Sequence, residues 1–476
     1  MAQFYKEGEV KIRPGVYQRY ENAGFSTLVD AQDGICAIPV HASWGPLGKV
    51  LKNGRPADLK KNYGSGTYST AYTVPAAEAM FIGGALTVYT YRLGTGGKKA
   101  TKELDGLTVT AKHVGTMPIS VAVQTKLADS TKKQLLVYAQ DTLVESIDFA
   151  ADSKNEGANL IAAATQKSKY VDITGTAATV SALAVASGAL AGGEDPTVTN
   201  EDYSKAFEAL EPYFYNCIAL DVDDDENMTL SLLLDAYLDD AYEMGKLGIA
   251  VVGEKTTVDF ETRLSHAKAF DDYKVVYLGG GYMAGTQNKD GVMAICYTAG
   301  VIAATPSNKG ILHTTVKGAT DLCESLTYYQ HEEAILNGML LLDMSPDGEI
   351  WYASAITTRT SPEDETNDDG WKKIRRTKVR FEIFDRMDRS MGPKIGKVSN
   401  DSDGIADIIQ TGNRLLNSMV QDEGKLYGGA SFEENPDYPA EGDSAWFRIA
   451  ADDIDSLEKI YLNYRFRYSQ YSGTTV

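Results

Sequence analysis

Cysteine is scarce: the 476 residues hold four, Cys36, Cys217, Cys296 and Cys323, far apart and with no C-x-x-C pair. That spacing argues against a disulfide framework or a zinc site and suits buried, reduced thiols. Histidine is nearly as rare, with five residues (His41, His113, His266, His313 and His331) and no H-E-x-x-H arrangement, so neither a zinc protease nor a local Ser-His-Asp constellation is supported. Long apolar runs are missing too. No stretch approaches the roughly 20 apolar residues of a membrane span, and the opening MAQFYKEGEVKIRPG lacks the apolar centre of a secretory signal. The expectation is a soluble product made in the cytoplasm. Positive charge is in deficit: Lys plus Arg number 46 against 66 acids, and 46 − 66 gives −20, which disfavours broad adhesion to DNA or anionic membrane.

Catalytic motifs are absent as well. No phosphate-binding G-x-x-x-x-G-K-[ST] occurs; GTGGKKAT has the lysines without the spacing and reads as a flexible hinge. Gly279, Gly280 and Gly281 read as a strand-end turn, since no G-x-G-x-x-G continues into a helix. Asp221, Asp223 and Asp225 imitate the start of a calcium loop, but Glu226 stands where glycine is needed and Leu232 where a bidentate glutamate is needed. GDSAW around Ser444 lacks the glycine that follows a nucleophilic serine. No catalytic, metal-binding or cofactor-binding residue is therefore assigned, and the chain is not read as an enzyme.

What is present is a globular composition, 43% hydrophobic and 24% charged, in a chain long enough for about three or four domains. Residues 1–24 include VKIRPGVYQRY, where Pro14 holds the preceding residue extended. From 28 to 92, runs such as ICAIPV and ALTVYTY alternate with turn-rich pieces such as NGRP and YGSGTYST, which suggests mixed structure with several strands. Between 93 and 195, LTVTAKHV, ISVAVQTKL, KQLLVYAQ, YVDITG and ATVSALAV alternate at short intervals, which predicts an inserted all-β module bounded by GTGGKK and GALAGGEDP. From 199 the period becomes helical: Tyr203, Phe207 and Leu210 share a face, with Thr199 or Asn200 as N-cap. CIAL, IAVVG and KVVYLGGG read as buried strands, and Leu230–Met244 as a helix between two of them, the signature of βαβ units and a mainly parallel sheet. The stretch 291–306 reads as a buried helix packed through Ala and Gly. A further helix is expected near 320–337, then a hairpin turned by Pro346, Asp347 and Gly348. Five acids (Glu363, Asp364, Glu365, Asp368 and Asp369) precede basic WKKIRRTKVRFEIFDRMDR, placed to favour a helix N-terminus. DGIADIIQTGNRLLNSMVQ is another helix candidate.

Two features invite partners. In the C-terminal tail Ile460, Leu462, Tyr464, Phe466 and Tyr468 alternate with polar residues, a strand with one apolar face. Such a strand either completes its own domain or pairs with a neighbouring chain, and VKIRPGVY offers a matching donor. Residues 371–397 hold ten basic residues (Lys372, Lys373, Arg375, Arg376, Lys378, Arg380, Arg386, Arg389, Lys394 and Lys397) against Glu382, Asp385 and Asp388, a local 10 − 3 = +7. This is either a solvated helix face or a docking surface for something acidic.

RPGVYQRYEN, GICAIPVHASWGPLGKV, the GGEDP–TNEDYSKAFEALEP junction and WKKIRRTKVRFEIFDRMDRSMGPKIGKVSNDSDGIADII, in that order, resemble the tail sheath proteins of contractile phage tails, above all the short type of Gram-positive phages and R-type bacteriocins. The resemblance covers nearly the whole chain. It implies an α+β multidomain protein: an N-terminal arm (1–24), an α/β core built from an N-terminal part (25–92) and C-terminal parts, an inserted β-sandwich (93–195), a middle subtilisin-like α/β domain without protease activity (196–360), a C-terminal tube-facing domain (361–455) and a C-terminal strand arm (456–476). The implied role is a structural subunit that polymerises as stacked hexameric rings around an inner tube, in a virion tail or bacteriocin particle assembled in the host cytoplasm, and contracts to drive the tube through a cell envelope. Implied partners are other copies of the chain, the inner tail tube protein, and baseplate and tail terminator proteins; neither membrane nor nucleic acid is bound directly. The arms fall on Val10, Ile12, Val16 and Tyr17 and on Ile460, Leu462, Tyr464, Phe466 and Tyr468. Candidates to face an acidic tube are Lys372, Lys373, Arg375, Arg376, Lys378, Arg380, Lys394, Lys397 and Arg414. The competing readings are an α/β hydrolase-like enzyme, which needs a residue activated by one of the five histidines, and a β-rich surface or adhesion protein, which needs export.

Overall fold

The computed structural model describes residues 3–4, 17–18, 32–152, 154–176, 182–224, 226–361 and 369–467. Two short strands, β1 (Gln3–Phe4) and β2 (Tyr17–Gln18), pair in parallel near the start. Next come β3 (Ile35–Val40), β4 (Val50–Asn53), α1 (Pro56–Tyr63), α2 (Val74–Gly83) and β5 (Thr87–Arg92). The inserted module holds β6 (Thr101–Leu104), β7 (Leu107–Ala111), β8 (Ile119–Thr125), β9 (Lys132–Ala139), β10 (Thr142–Ala150), α3 (Glu156–Lys167), β11 (Val171–Gly175) and β12 (Ala186–Ala189). The chain then alternates: α4 (Asn200–Leu210), β13 (Cys217–Ala219), α5 (Thr229–Glu243), β14 (Ile249–Gly253), α6 (Phe260–Phe270) and β15 (Val275–Leu278). After β16 (Tyr282–Ala284), β17 (Gln287–Lys289), α7 (Val292–Ala304), β18 (Asp321–Leu322) and α8 (Tyr328–Leu336) come β19 (Met339–Leu340) and the hairpin β20 (Leu342–Met344) and β21 (Ile350–Tyr352). The C-terminal unit consists of α9 (Ile374–Met391), α10 (Ser402–Gln421), β22 (Ser431–Glu434) and β23 (Phe447–Ala450).

The centre is a seven-stranded sheet in the order β19-β15-β14-β13-β3-β5-β4, parallel except for β4. IAVVG and VVYL are buried at every position because helices cover both faces. Helices α2 and α7 lie in the core on one face, and α4, α5 and α6 in the core on the other. Thr199, not Asn200, caps α4 in a capping box with Asp202. Strands β3, β4 and β5, from 25–92, belong to the same sheet as the strands of 196–360, while α9 adds Ile374 and Phe381 to the core on one face of that sheet and packs with α10, β22 and β23 around a smaller second core. In keeping with the mixed structure expected for 28–92, helices α1 and α2 lie among its strands, each with a proline in its first turn, a helix-start signal.

The module is a sandwich of a four-stranded antiparallel sheet, β10-β9-β8-β12, and a three-stranded one, β11-β7-β6, around a shared core. It is not all β, because α3 packs into that core through Leu160 and Ala164. Its two connections are not a flexible hinge. They run antiparallel and bond to each other: Thr95 and Thr197 exchange N–H···O bonds of 2.9 and 3.0 Å, and Lys98 and Glu194 a pair of 3.0 Å. Gly97 has φ +78, and a Cβ there would lie 2.7 Å from the Glu194 carbonyl oxygen, so glycine permits this approach. At the root, the buried Arg92 guanidinium donates to the carbonyls of Ala42 (2.9 Å), Gly45 (2.6 Å) and Val114 (3.0 Å), joining core and module.

Candidate assembly surface

Helix α9 has work on more than one side. Ile374 and Phe381 join the core of the central sheet, whereas Val379, Ile383 and Met387 pack on Leu415, Leu416 and Met419 of α10. Asp401 caps α10 by accepting from the Gly404 N–H at 2.9 Å. Phe432 of β22 lies where a Cβ on Gly412 would stand, 2.5 Å from its ring, so the missing side chain lets the hairpin sit on α10. β22 and β23 form a two-stranded antiparallel sheet from Ser431↔Ala450 to Glu434↔Phe447. Among the described residues its outer edges carry no further strand, although on the β22 side Asn413 of α10 accepts from the Phe432 N–H at 2.9 Å and donates to its carbonyl at 2.7 Å; Trp446 and Ile449 remain part-exposed beside the sheet.

The basic residues of α9 are largely committed inside the chain. Arg376 Nε lies 2.5 Å from Asp453 Oδ2, and Arg380 Nη2 lies 3.2 Å from Asp453 Oδ1. The two guanidinium groups hold the Asp453 carboxyl below its ordinary range against the opposing effect of burial, which is the largest single influence. Arg375 is buried and donates to Ser456 Oγ at 3.3 Å, and Lys373 pairs with Glu458. The buried Lys378 donates to the carbonyls of Ile302 (2.7 Å) and Thr305, capping the C-terminal end of α7. Burial lowers its proton affinity, with Asp33 opposing at 3.7 Å. Further along, Arg386 is fully buried between Glu382 and Glu423 at 2.9 Å each, and Lys425 bonds both acids at 2.7 and 2.6 Å. Lys394 pairs with Asp407 at 2.5 Å, Lys372 is half-buried, and Lys397 and Arg414 are exposed. An open basic face is therefore not what 371–380 forms; sequence counted the charges but did not reveal their acidic partners some 75 residues on.

Of the expected arm residues, Val10, Ile12, Val16 and Tyr468 lie outside the described residues, and Tyr17 lies in β2. Ile460 (70% exposed), Leu462 (68%), Tyr464 (71%) and Phe466 (92%) pair with no strand among the described residues. The rings of Tyr464 and Phe466 are nearly parallel, 6.2 Å apart, as alternate residues of an extended chain are.

The catalytic alternatives meet structural obstacles. At the C-terminal ends of β3 and β13, where a parallel sheet changes direction and α/β proteins commonly bind ligands, Asp221 is fully buried. Its carboxylate accepts from Tyr203 OH (2.7 Å), Thr73 Oγ1 (2.5 Å) and the His41 N–H (3.0 Å), and His41 Nδ1 lies 2.6 Å away. Both hydroxyls are spent on the carboxylate instead of being offered to the imidazole as nucleophiles. Asp223 accepts from the Val292 N–H at 3.0 Å at the start of α7 and pairs with Lys255 at 2.6 Å; Asp225 lies outside the described residues. Ser444 donates to Asp443 at 3.0 Å. Among the described residues no group of three or more His, Cys, Asp or Glu could hold a metal ion, and no helix is long and apolar enough to cross a membrane.

Residues 196–358 match the family model described as the phage tail sheath protein central domain. Two Bacillus subtilis proteins match along nearly all of their length: the uncharacterized protein YqbK, 24% identical, and the phage-like element PBSX protein XkdK, 21% identical, each covering 96% of this chain and 98% of its own. The sheath tail protein of Desulfitobacterium hafniense superimposes with a TM-score of 0.70 at 21% identity, covering 92% of this chain and all (100%) of that one. The helical sheath of the anti-feeding prophage in its contracted state does so at 0.54 and 13% identity, covering 96% and 99%. The chain thus carries a phage tail sheath central domain and has the mixed α/β, multidomain fold of sheath proteins. That family and these neighbours are structural proteins, which bears out the reading of a chain that is not an enzyme.

Proposed function

We propose that the chain is the sheath subunit of a contractile tail or bacteriocin-like particle, polymerising as stacked hexameric rings around an inner tube and contracting to drive that tube through a cell envelope. The observation that carries this reading is an extended, apolar-faced tail at 460–467 without a strand partner among the described residues, in a chain that also holds a two-stranded sheet, β22–β23, whose β23 side carries no further strand among them, while Asn413 of α10 bonds the Phe432 backbone on the β22 side. A strand that lacks a partner and an edge that lacks a strand are complementary, and exchange between copies satisfies both. The N-terminal arm, through Val10, Ile12, Val16 and Tyr17, is assigned to the same linkage between copies. The middle region, 196–360, is assigned a subtilisin-like fold without protease activity.

Other copies, the inner tube protein, and baseplate and terminator proteins are the partners in this reading, and the location is a virion tail or particle assembled in the host cytoplasm. Of the basic candidates, the exposed Lys397 and Arg414 are the ones best able to meet an acidic tube, through weak, salt-screened contacts. Electron microscopy of the full-length chain beside a chain ending at Glu458 tests the assembly. Hollow helical tubes are expected from the full chain alone; equally long tubes from the shortened chain would remove the arm from the mechanism. Reversing Lys397 and Arg414 to Glu should weaken binding to purified tube protein most at low salt.

A further inference from the structure

Residues 453–458 and 459–467 are consecutive, yet they are held in opposite ways. Asp453 is buried between Arg376 and Arg380, Ser456 accepts from Arg375, and Glu458 pairs with Lys373. These four donors lie on or immediately before the first two turns of α9, on a helix whose other residues enter both the central core and the α10 core. The grip has a backbone component as well: the Ile454 N–H donates to the Lys425 carbonyl at 3.0 Å, and the Tyr427 N–H to the Asp452 carbonyl at 2.8 Å. Immediately beyond, Ile460, Tyr461, Leu462, Tyr464 and Phe466 are 68–92% exposed. Leu457, between the held side chains, is itself 81% exposed, so what ends at Glu458 is the series of contacts with α9 and not a buried stretch.

We infer that the start of α9 is an anchor for the C-terminal extension, so that a transferable strand begins at Lys459 and load on it passes through Asp453, Ser456 and Glu458 into the subunit. This rests on the assembly reading above and adds which residues make the joint. An arm that links copies transmits force only if its root is fixed while its end is free. A charged clamp on a buried carboxylate provides such a root, because withdrawing Asp453 would leave two guanidinium groups without it. The described free part, 459–467, is 467 − 458 = 9 residues, at most about 30 Å when extended. The basic run at 373–380 thereby has an intramolecular role in place of the tube contact its charge suggested.

Hydrogen exchange on the isolated full-length chain tests the joint without any polymer. Amides of 453–458 should exchange at least tenfold more slowly than those of 460–467. In the Asp453→Ala, Glu458→Ala double variant that difference should shrink severalfold, while α10 and the central strands keep their protection. Asp453→Asn, which retains the shape, should show the same trend more weakly, and tubes built from it should come apart at lower salt than those of the parent. Equal exchange across the two stretches in the parent would overturn the anchor, as would a double variant that keeps full protection. Tubes are scored separately, so failure of the parent to polymerise counts against the assembly reading and leaves exchange to decide the anchor.

Discussion

At the residue scale, burial decides what the side chains can do. Asp235 on α5 is part-buried, and Oδ1 has no hydrogen-bond partner among the described residues. Burial first, then the neighbouring Asp272 and Asp239 carboxylates, raise it from 3.8 to about 7, against the pull of Lys274. The folded state therefore binds this proton more tightly than the unfolded chain, and the stabilisation is present below the unfolded value and lost as pH rises through about 7. Asp235→Asn should be near neutral at about pH 4 and stabilising by about 1 kcal/mol at about pH 8, allowing for solvent screening of a part-exposed group. Urea unfolding at both values checks this, and a pH-independent difference would refute it. The thiols follow the same logic. Cys36, Cys217 and Cys296 are fully buried, and burial holds their proton affinities well up, whereas Cys323 is part-exposed and pushed up to about 12. Alkylation of the native chain at neutral pH should be slow at all four and fastest at Cys323, with the other three reacting only after denaturation.

At the scale of elements, packing rests on close backbone approach. A Cβ on Gly300 of α7 would stand 2.1 Å from the Met80 carbonyl oxygen of α2, and one on Gly83 2.2 Å from the Tyr297 carbonyl oxygen. Neither carbonyl can yield without moving its helix. Gly300→Val should cost about 3 kcal/mol and lower the thermal midpoint, while Gly392→Ala, with nothing within 4 Å, should stay within about 0.5 kcal/mol of the parent. The buried helix at 291–306 was legible for the same reason: a run of Ala, Gly and Val with no charge can only face inward. The hairpin was legible from its turn residues, and β20 and β21 pair Met344 with Ile350 around it. α3 was not, because its Ala-rich sequence lies within a run of strands and its helical face shows only once Leu160 and Ala164 meet the sandwich.

At the scale of the whole molecule, the orientation of the β-module depends on Arg92 and the paired connections. Burial lowers the Arg92 proton affinity to about 10, with Asp195 opposing, and the charge is balanced chiefly by backbone carbonyls. Arg92→Ala should leave three carbonyls short of a donor, cost about 3 kcal/mol, and expose the connections at 94–99 and 191–197 to limited proteolysis. Release of a folded fragment spanning the module is the expected product; an unchanged digestion pattern would show that the paired connections suffice.

The sequence by itself determined the alternation of strands and helices from 199 to 352, the inserted module, three of the four expected buried thiols (Cys323 is part-exposed) and the alternating tail, because each is a local pattern set by periodicity, turn chemistry or composition. It also carried the resemblance to sheath proteins. Only the tertiary structure decided that β3, β4 and β5 share a sheet with β13, β14, β15 and β19, since strand order depends on contacts across some 180 residues that no local pattern encodes. It likewise decided the fate of the basic run. A lysine or arginine has the same period and charge whether it faces water or a carboxylate, so the engagement of Arg376 and Arg380 with Asp453 became visible only when the chain had folded back on itself.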